Sequence, residues 1–107
     1  MPKIPDVTVV HKDTACDLYV DRYADNGRVA LRLVERATGE PWARATTNLP
    51  DAPLGEGEVF IKDYAENEGM LAALELAGVV EATGLYETSG YVTVPVARLK
   101  VKLPSPE

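Results

Sequence analysis

The stretch "DLYVDRYADNGRVALRLVER" (17–36) constrains the fold more than any other part of the chain. Leu18 and Val20 alternate with Asp17, Tyr19 and Asp21, and past Asn26-Gly27 the residues Val29, Leu31 and Leu33 alternate with Ala30 and Arg32. A period of two is that of a strand with one face buried. Asn-Gly between two such runs signals a type I′ turn, because both central residues of that turn need positive φ. The spacing predicts a hairpin, and with it a mainly antiparallel sheet.

The rest of the chain extends this pattern. "VTVVHK" (7–12) suits a short strand, and Cys16 joins Leu18 and Val20 on the alternating face. "ATGEP" (37–41) reads as a second turn, followed by "WARATTN" (42–48) as a strand with Trp42, Arg44 and Thr46 on one face. A Pro- and Gly-rich loop, "LPDAPLGEG" (49–57), leads to another strand, "EVFIKDY" (58–64). Met70, Leu71, Leu74 and Ala77 recur at helical spacing, with Gly78 as the stop, so one helix is expected over about 66–78. Leu74 belongs on its buried side and Glu75 on its wet side. Asn67, or Asp63 with Glu66 three residues on, can cap its start.

A second hairpin follows: "VVEATGLYET" (79–88), a Ser89-Gly90 turn and "YVTVPVARLKV" (91–101). Pro95 in the last strand implies an edge position or a bulge. Residues 1–6 and 103–107, each with two prolines, read as flexible ends. The expected architecture is a single α+β domain over 1–107, with a curved antiparallel sheet of about six to seven strands and one helix. A chain of 107 residues, 46% of them hydrophobic, can bury a core without staples.

Charge narrows the function classes. Residues 51–87 hold nine acidic side chains (Asp51, Glu56, Glu58, Asp63, Glu66, Glu68, Glu75, Glu81, Glu87) against one cation, Lys62, a net −8. The remainder carries ten Lys/Arg against eight Asp/Glu, a net +2. Such a segment repels a phosphate backbone and attracts basic surfaces, which argues against direct nucleic-acid binding. Its bland reading is a solvated face that keeps the protein soluble. Apolar runs are far shorter than the roughly 20 residues that cross a bilayer, so no membrane association is expected. "MPKIPDV" has no signal-peptide core and Cys16 has no partner cysteine, so a cytoplasmic setting is expected.

Motifs for chemistry are sparse. His11, Asp13 and Cys16 invite a nucleophile reading, but neighbours along one strand do not form such a site, and an exposed strand-end histidine is the simpler expectation. One His and one Cys fall short of a zinc site, and "DYAENEG" lacks the spacing of a calcium loop. Asp63 and Glu66, with Glu68, could hold Mg²⁺. Against that stands the helix-entry reading, with Glu66 and Glu68 at the positive end of the helix dipole. No phosphate-cradling glycine motif occurs, so no cofactor is expected. Arg22, Arg28, Arg32 and Arg36 could form a small basic face, or the wet side of the sheet.

The segments "DNGRVALRL", "GEPWARATTNLP" and "IKDYAENEGMLAALELAGVV" together resemble a family of small proteins of unknown function carried by phages, plasmids and integrative elements. The resemblance covers roughly residues 19–99, and "IKDYAENEGML" is its most specific part. It implies a protein of a mobile element, a setting that includes anti-CRISPR and other anti-defence inhibitors. Two classes of function follow. One is a non-enzymatic inhibitor whose acidic residues Asp51, Glu56, Glu58, Asp63, Glu66 and Glu68 occupy a basic surface of a host protein or nucleoprotein complex. The other is a small metal-dependent enzyme or ligand-binding module built on Asp63, Glu66 and Glu68. A structural accessory of the element is a third option.

Overall fold

The computed structural model describes residues 2–103. It has the α+β architecture that the sequence patterning implies, with eight strands, one α-helix and all strand pairing antiparallel. The strands form two four-stranded sheets. The first is β1 (Val9–His11), β2 (Thr14–Arg22), β3 (Val29–Glu35) and β4 (Pro41–Arg44), in that spatial order. The second contains β5 (Thr46–Thr47), β6 (Glu58–Ile61), β7 (Val80–Ser89) and β8 (Val92–Leu99), in the order β5-β6-β8-β7.

The change of sheet occurs at Ala45, which is fully buried. Its N–H donates to Leu31 O (2.8 Å) while its carbonyl accepts from Lys62 N (2.9 Å), so one residue's backbone stitches the two sheets together. "WARATTN" is therefore two strands rather than one. Trp42 and Arg44 face solvent, whereas Thr46 is buried and its hydroxyl oxygen accepts from Leu31 N at 3.1 Å. Ala45 and Thr46 are both buried, so the alternation of burial breaks at the switch, and Trp42, Arg44 and Thr46 do not share one face.

The main core lies between the sheets and under the helix: Leu18, Leu31 and Leu33 meet Val59, Ile61, Met70 and Leu74. Burying each such side chain contributes about 1.5–3 kcal/mol against the entropy of ordering it. Ile4 joins this core at 3% exposure, and its N–H donates to Leu18 O at 2.8 Å. Pro2–Ile4 thus lie along β2, with Lys3 bridging Tyr19, and do not form a loose lead-in. The expected flexible tail falls at 103–107, of which 104–107 lie outside the described residues.

Asn26-Gly27 does join β2 to β3, through a four-residue loop rather than a type I′ turn. Tyr23 N donates to Arg28 O (2.9 Å) and Gly27 N to Tyr23 O (2.8 Å), and Gly27 alone of the pair has positive φ, +71°. The next loop repeats the device: Glu35 N to Glu40 O, Gly39 N to Glu35 O, and φ +76° at Gly39. The tight two-residue turn with both φ positive sits instead at Lys12-Asp13, between β1 and β2. Neither residue there is Gly or Asn, so the usual signal was missing.

Pro95 is locally at an edge, since the pairing of β8 with β6 ends at Phe60↔Val96. A bulge in β7 adjoins it: pairing jumps from Ala82↔Ala97 to Tyr86↔Pro95. Thr83 closes the extra loop, its hydroxyl donating to Val96 O (2.9 Å) and accepting from Leu85 N (3.1 Å). The turn of this hairpin is Gly90-Tyr91, one residue later than Ser89-Gly90.

Phe60, Val94 and Val96 form a small second core on the far face of the second sheet, covered by Leu49, Ala52 and Leu54. Arg28 holds that cover down, its guanidinium donating to Leu49 O and Ala52 O, both at 2.8 Å. No helix among the described residues is long and apolar enough to cross a membrane.

Candidate functional site

The helix α1 is shorter than expected, Met70–Leu76, and a separate 3₁₀ turn, Ala65–Asn67, precedes it. Gly69, at φ +88°, occupies the N-cap and breaks the two apart. Leu74 is fully buried and Glu75 exposed, as their wheel positions require. Glu66 and Glu68, however, are outside the first turn of α1, which contains no acidic residue. Glu66 lies instead in the first turn of the 3₁₀ segment, where its carboxylate meets its own backbone N–H. Asn67 is not the cap either. Asp63 takes a share of the role from eight residues away, its Oδ1 accepting from Leu71 N at 3.4 Å.

The turn is instead a plug at one end of the first sheet. Lys12 Nζ donates to Glu66 O (2.6 Å) and the buried Asn67 amide donates to Arg44 O. His11 supplies a third tie, and it is buried, not exposed, at 3%. Trp42 Nε1–H can only donate and does so to His11 Nδ1 (3.0 Å); Glu68 O can only accept, so His11 Nε2–H donates to it (3.0 Å). The partners assign the tautomer. Both ring nitrogens are thus engaged by Trp42 and Glu68, and neither contacts Cys16. Glu66 and Glu68 work here through their main-chain carbonyls, which leaves the side chains in solvent.

Cys16 is fully buried, and its Sγ donates to Thr14 O at 3.6 Å. Burial pushes its thiol above the usual range, helped by Glu35 and Asp17 and opposed by Arg36. A nucleophilic cysteine needs the opposite: access and a depressed value.

The six acidic residues fall into two groups flanking β6. Asp51 and Glu56 precede it and Glu58 is its first residue; Asp63, Glu66 and Glu68 follow it. Glu58 is half-buried rather than exposed, because its carboxylate accepts from Gly55 N at 2.8 Å. Glu66 is the most neutralised: Lys62 Nζ is 3.5 Å away. A hydrogen bond from its own backbone N–H, then Lys62, hold its carboxyl below the usual range. Among the described residues, no three His, Cys, Asp or Glu side chains converge to hold a metal ion.

One association was missed. Glu87 of β7 faces the 49–53 loop, and with Asp51, Leu49, Pro50, Ala52 and Pro53 it lines a depression of about 370 Å³. Only the charge count over 51–87 pointed towards it; bringing residues 51 and 87 together required the sheet order. The strand arginines form no free basic face: Arg36 pairs with Asp17 (2.6 Å), Arg32 with Asp21 (3.9 Å), Arg22 donates to Gly27 O (3.0 Å), and Arg28 holds the loop.

Comparison with protein-family models, with curated proteins and with solved structures finds no match to this chain.

Proposed function

We propose that this protein is a non-enzymatic acidic interaction protein that docks on a basic, nucleic-acid-binding surface of a host protein or nucleoprotein complex. Its setting would be that of an anti-CRISPR or other anti-defence inhibitor carried by a phage or other mobile element. The observation that carries the reading is the state of the acidic segment. Of its nine carboxylates only Glu66 and Glu81 have an ion-pair partner among the described residues; Asp51, Glu56, Glu58, Asp63, Glu68, Glu75 and Glu87 have none. Charge left uncompensated by the fold is available to steer a basic partner. The mobile-element setting rests on the sequence resemblance alone.

The test is binding to a purified, positively charged nucleic-acid-binding complex of a host defence system. Affinity should fall as salt rises, because exposed charges are screened beyond about 8–10 Å at physiological ionic strength. Nucleic acid should compete for the same groove, and reversal of Glu56 and Glu68 to Lys should weaken binding without lowering the melting temperature. Binding that ignores salt, or that tolerates bound nucleic acid, would refute the mechanism. A melting temperature raised several degrees by Mg²⁺ or Mn²⁺, and not in an Asp63→Asn variant, would favour the metal-dependent alternative.

A further inference from the structure

We infer that the distal edge of β7, over Tyr86–Thr88, is the docking strand, and that its occupant is an extended basic segment of the partner, added antiparallel or parallel to β7 with a Lys or Arg side chain in the Asp51/Glu87 depression. This rests on the reading proposed above and names the surface through which it would act.

The register shows which backbone groups are free. Ser89 pairs with Val92 across a two-residue turn, so the N–H and C=O of Ser89 and Glu87 turn towards β8 and those of Tyr86 and Thr88 turn outward. Pro95 confirms the phase: it lies opposite Tyr86, at a position where no N–H is owed to β7. Nearer the helix, the same edge is blocked. Ala82 N donates to Glu75 Oε2 at 3.3 Å, and Leu85 N donates to Thr83 Oγ1 at 3.1 Å. Protection therefore stops where the free stretch begins, whereas natural sheets cover or charge such edges along their length.

The side chains beside this stretch suit a partner. Leu85 and Tyr86 are each 63% exposed and Tyr91 protrudes fully at the hairpin tip. The adjoining depression has apolar walls from Leu49, Pro50 and Pro53 and carries the carboxylates of Asp51 and Glu87 with no cation among its lining residues. A Lys or Arg can lay its aliphatic stem on such walls and keep its charge at the carboxylates. A second copy of this chain is the poorer occupant. A two-fold pairing centred on the free stretch sets Glu87 against Glu87, and like charges directly opposite are destabilising.

The probe is a fluorescein-labelled peptide of ten residues alternating arginine and valine, read by anisotropy against the full chain. Its counterpart carries an N-methyl group on every residue, with the same charge but no N–H donor left on either edge for strand pairing. Binding of the parent should weaken about tenfold or more on N-methylation and by a similar factor in an Asp51→Lys/Glu87→Lys variant of unchanged melting temperature. Equal affinity for both peptides would show diffuse charge attraction and overturn the inference. So would a dimer in sedimentation equilibrium that dissociates in a Thr88→Pro variant, which would assign the edge to a second copy. If binding to the defence complex stays salt-sensitive and responds to Glu56 and Glu68 but not to Asp51 and Glu87, this edge is wrong while the acidic reading stands. Salt-insensitive binding to the complex would remove that reading itself.

Discussion

In the first sheet Asp17 sits 2.6 Å from Arg36 and 3.8 Å from Lys3, and Asp21 lies 3.9 Å from Arg32. In the second half Glu56, Glu68 and Glu75 face solvent with no cation at ion-pair distance among the described residues. Both halves are built from antiparallel strands over one core, so topology does not account for the contrast. Sequence spacing does. In the first sheet, acid and base alternate across paired strands, where Asp21 and Arg32 are near neighbours across β2 and β3. From 51 to 87 Lys62 is the only cation, and it serves Glu66. The lesson is that Asp17 and Asp21 are compensated by cations within the first sheet, whereas Asp51, Glu56, Glu68 and Glu87 have side chains with neither hydrogen bond nor ion pair among the described residues and are free for a partner to use.

The largest effect should come from the core the two halves share. Leu74→Ala removes a fully buried side chain facing both sheets and should cost about 2–5 kcal/mol by chemical denaturation. Leu76→Ala, 89% exposed two residues on, should be nearly silent. Equal costs would break the assignment of the helix face.

Next comes the plug between the halves. Asn67→Ala removes a buried amide and leaves Arg44 O without its donor, a loss of about 1–3 kcal/mol. Glu68→Ala keeps the carbonyl that accepts from His11 and should change stability little. If Glu68→Ala proved the more damaging, the carboxylates of this turn would be structural and unavailable to a partner.

These two cases show what was legible in the sequence. The helix face was readable because Met70 and Leu74 repeat at a local period. The hairpins were readable because apolar alternation and turn residues lie within a few positions of each other. Asn67 and His11 were not, since their burial depends on partners 23 and 57 residues distant and on how the first sheet curls against the turn. The sheet switch at Ala45 was hidden because the small residues Ala43, Ala45, Thr46 and Thr47 give no contrast of hydropathy to mark where the alternation of burial breaks. The unpaired state of the acidic segment was legible from the charge count, while the meeting of Asp51 with Glu87 was not.

A smaller effect is expected at the paired loops of the first sheet. Gly27→Val and Gly39→Val each put a β-branched residue at φ above +70°, with no atom within 4 Å of the new Cβ. Strain alone then acts, and each should cost about 1–2 kcal/mol. The two costs should match, because the loops share one hydrogen-bond pattern. A loss at one site only would mean that the loops are not equivalent.

The smallest effect tests the opening contrast itself. Asp17→Asn keeps size and hydrogen-bonding capacity but removes the charge that Arg36 reaches through both Nε (2.8 Å) and a terminal nitrogen (2.6 Å). A two-pronged, half-buried contact of this kind should contribute about 0.5–1 kcal/mol, near the upper end for ion pairs close to the surface. Glu56→Gln and Glu68→Gln remove charges that no cation of the described fold neutralises, so each should shift stability by a few tenths of a kcal/mol at most, and upward where it relieves repulsion. Salt separates the two cases further. Added salt should shrink the Asp17→Asn penalty, because it screens the attraction that the wild type alone enjoys. It should instead stabilise the wild type relative to Glu56→Gln and Glu68→Gln, because there it screens repulsion. Denaturant melts of the three variants at about 0.02 and 0.5 M salt read both signs. Should Glu56→Gln or Glu68→Gln destabilise the fold as much as Asp17→Asn, with the same salt response, the second half would be neutralising its charges internally after all. The carboxylates would then no longer be free to meet a basic partner.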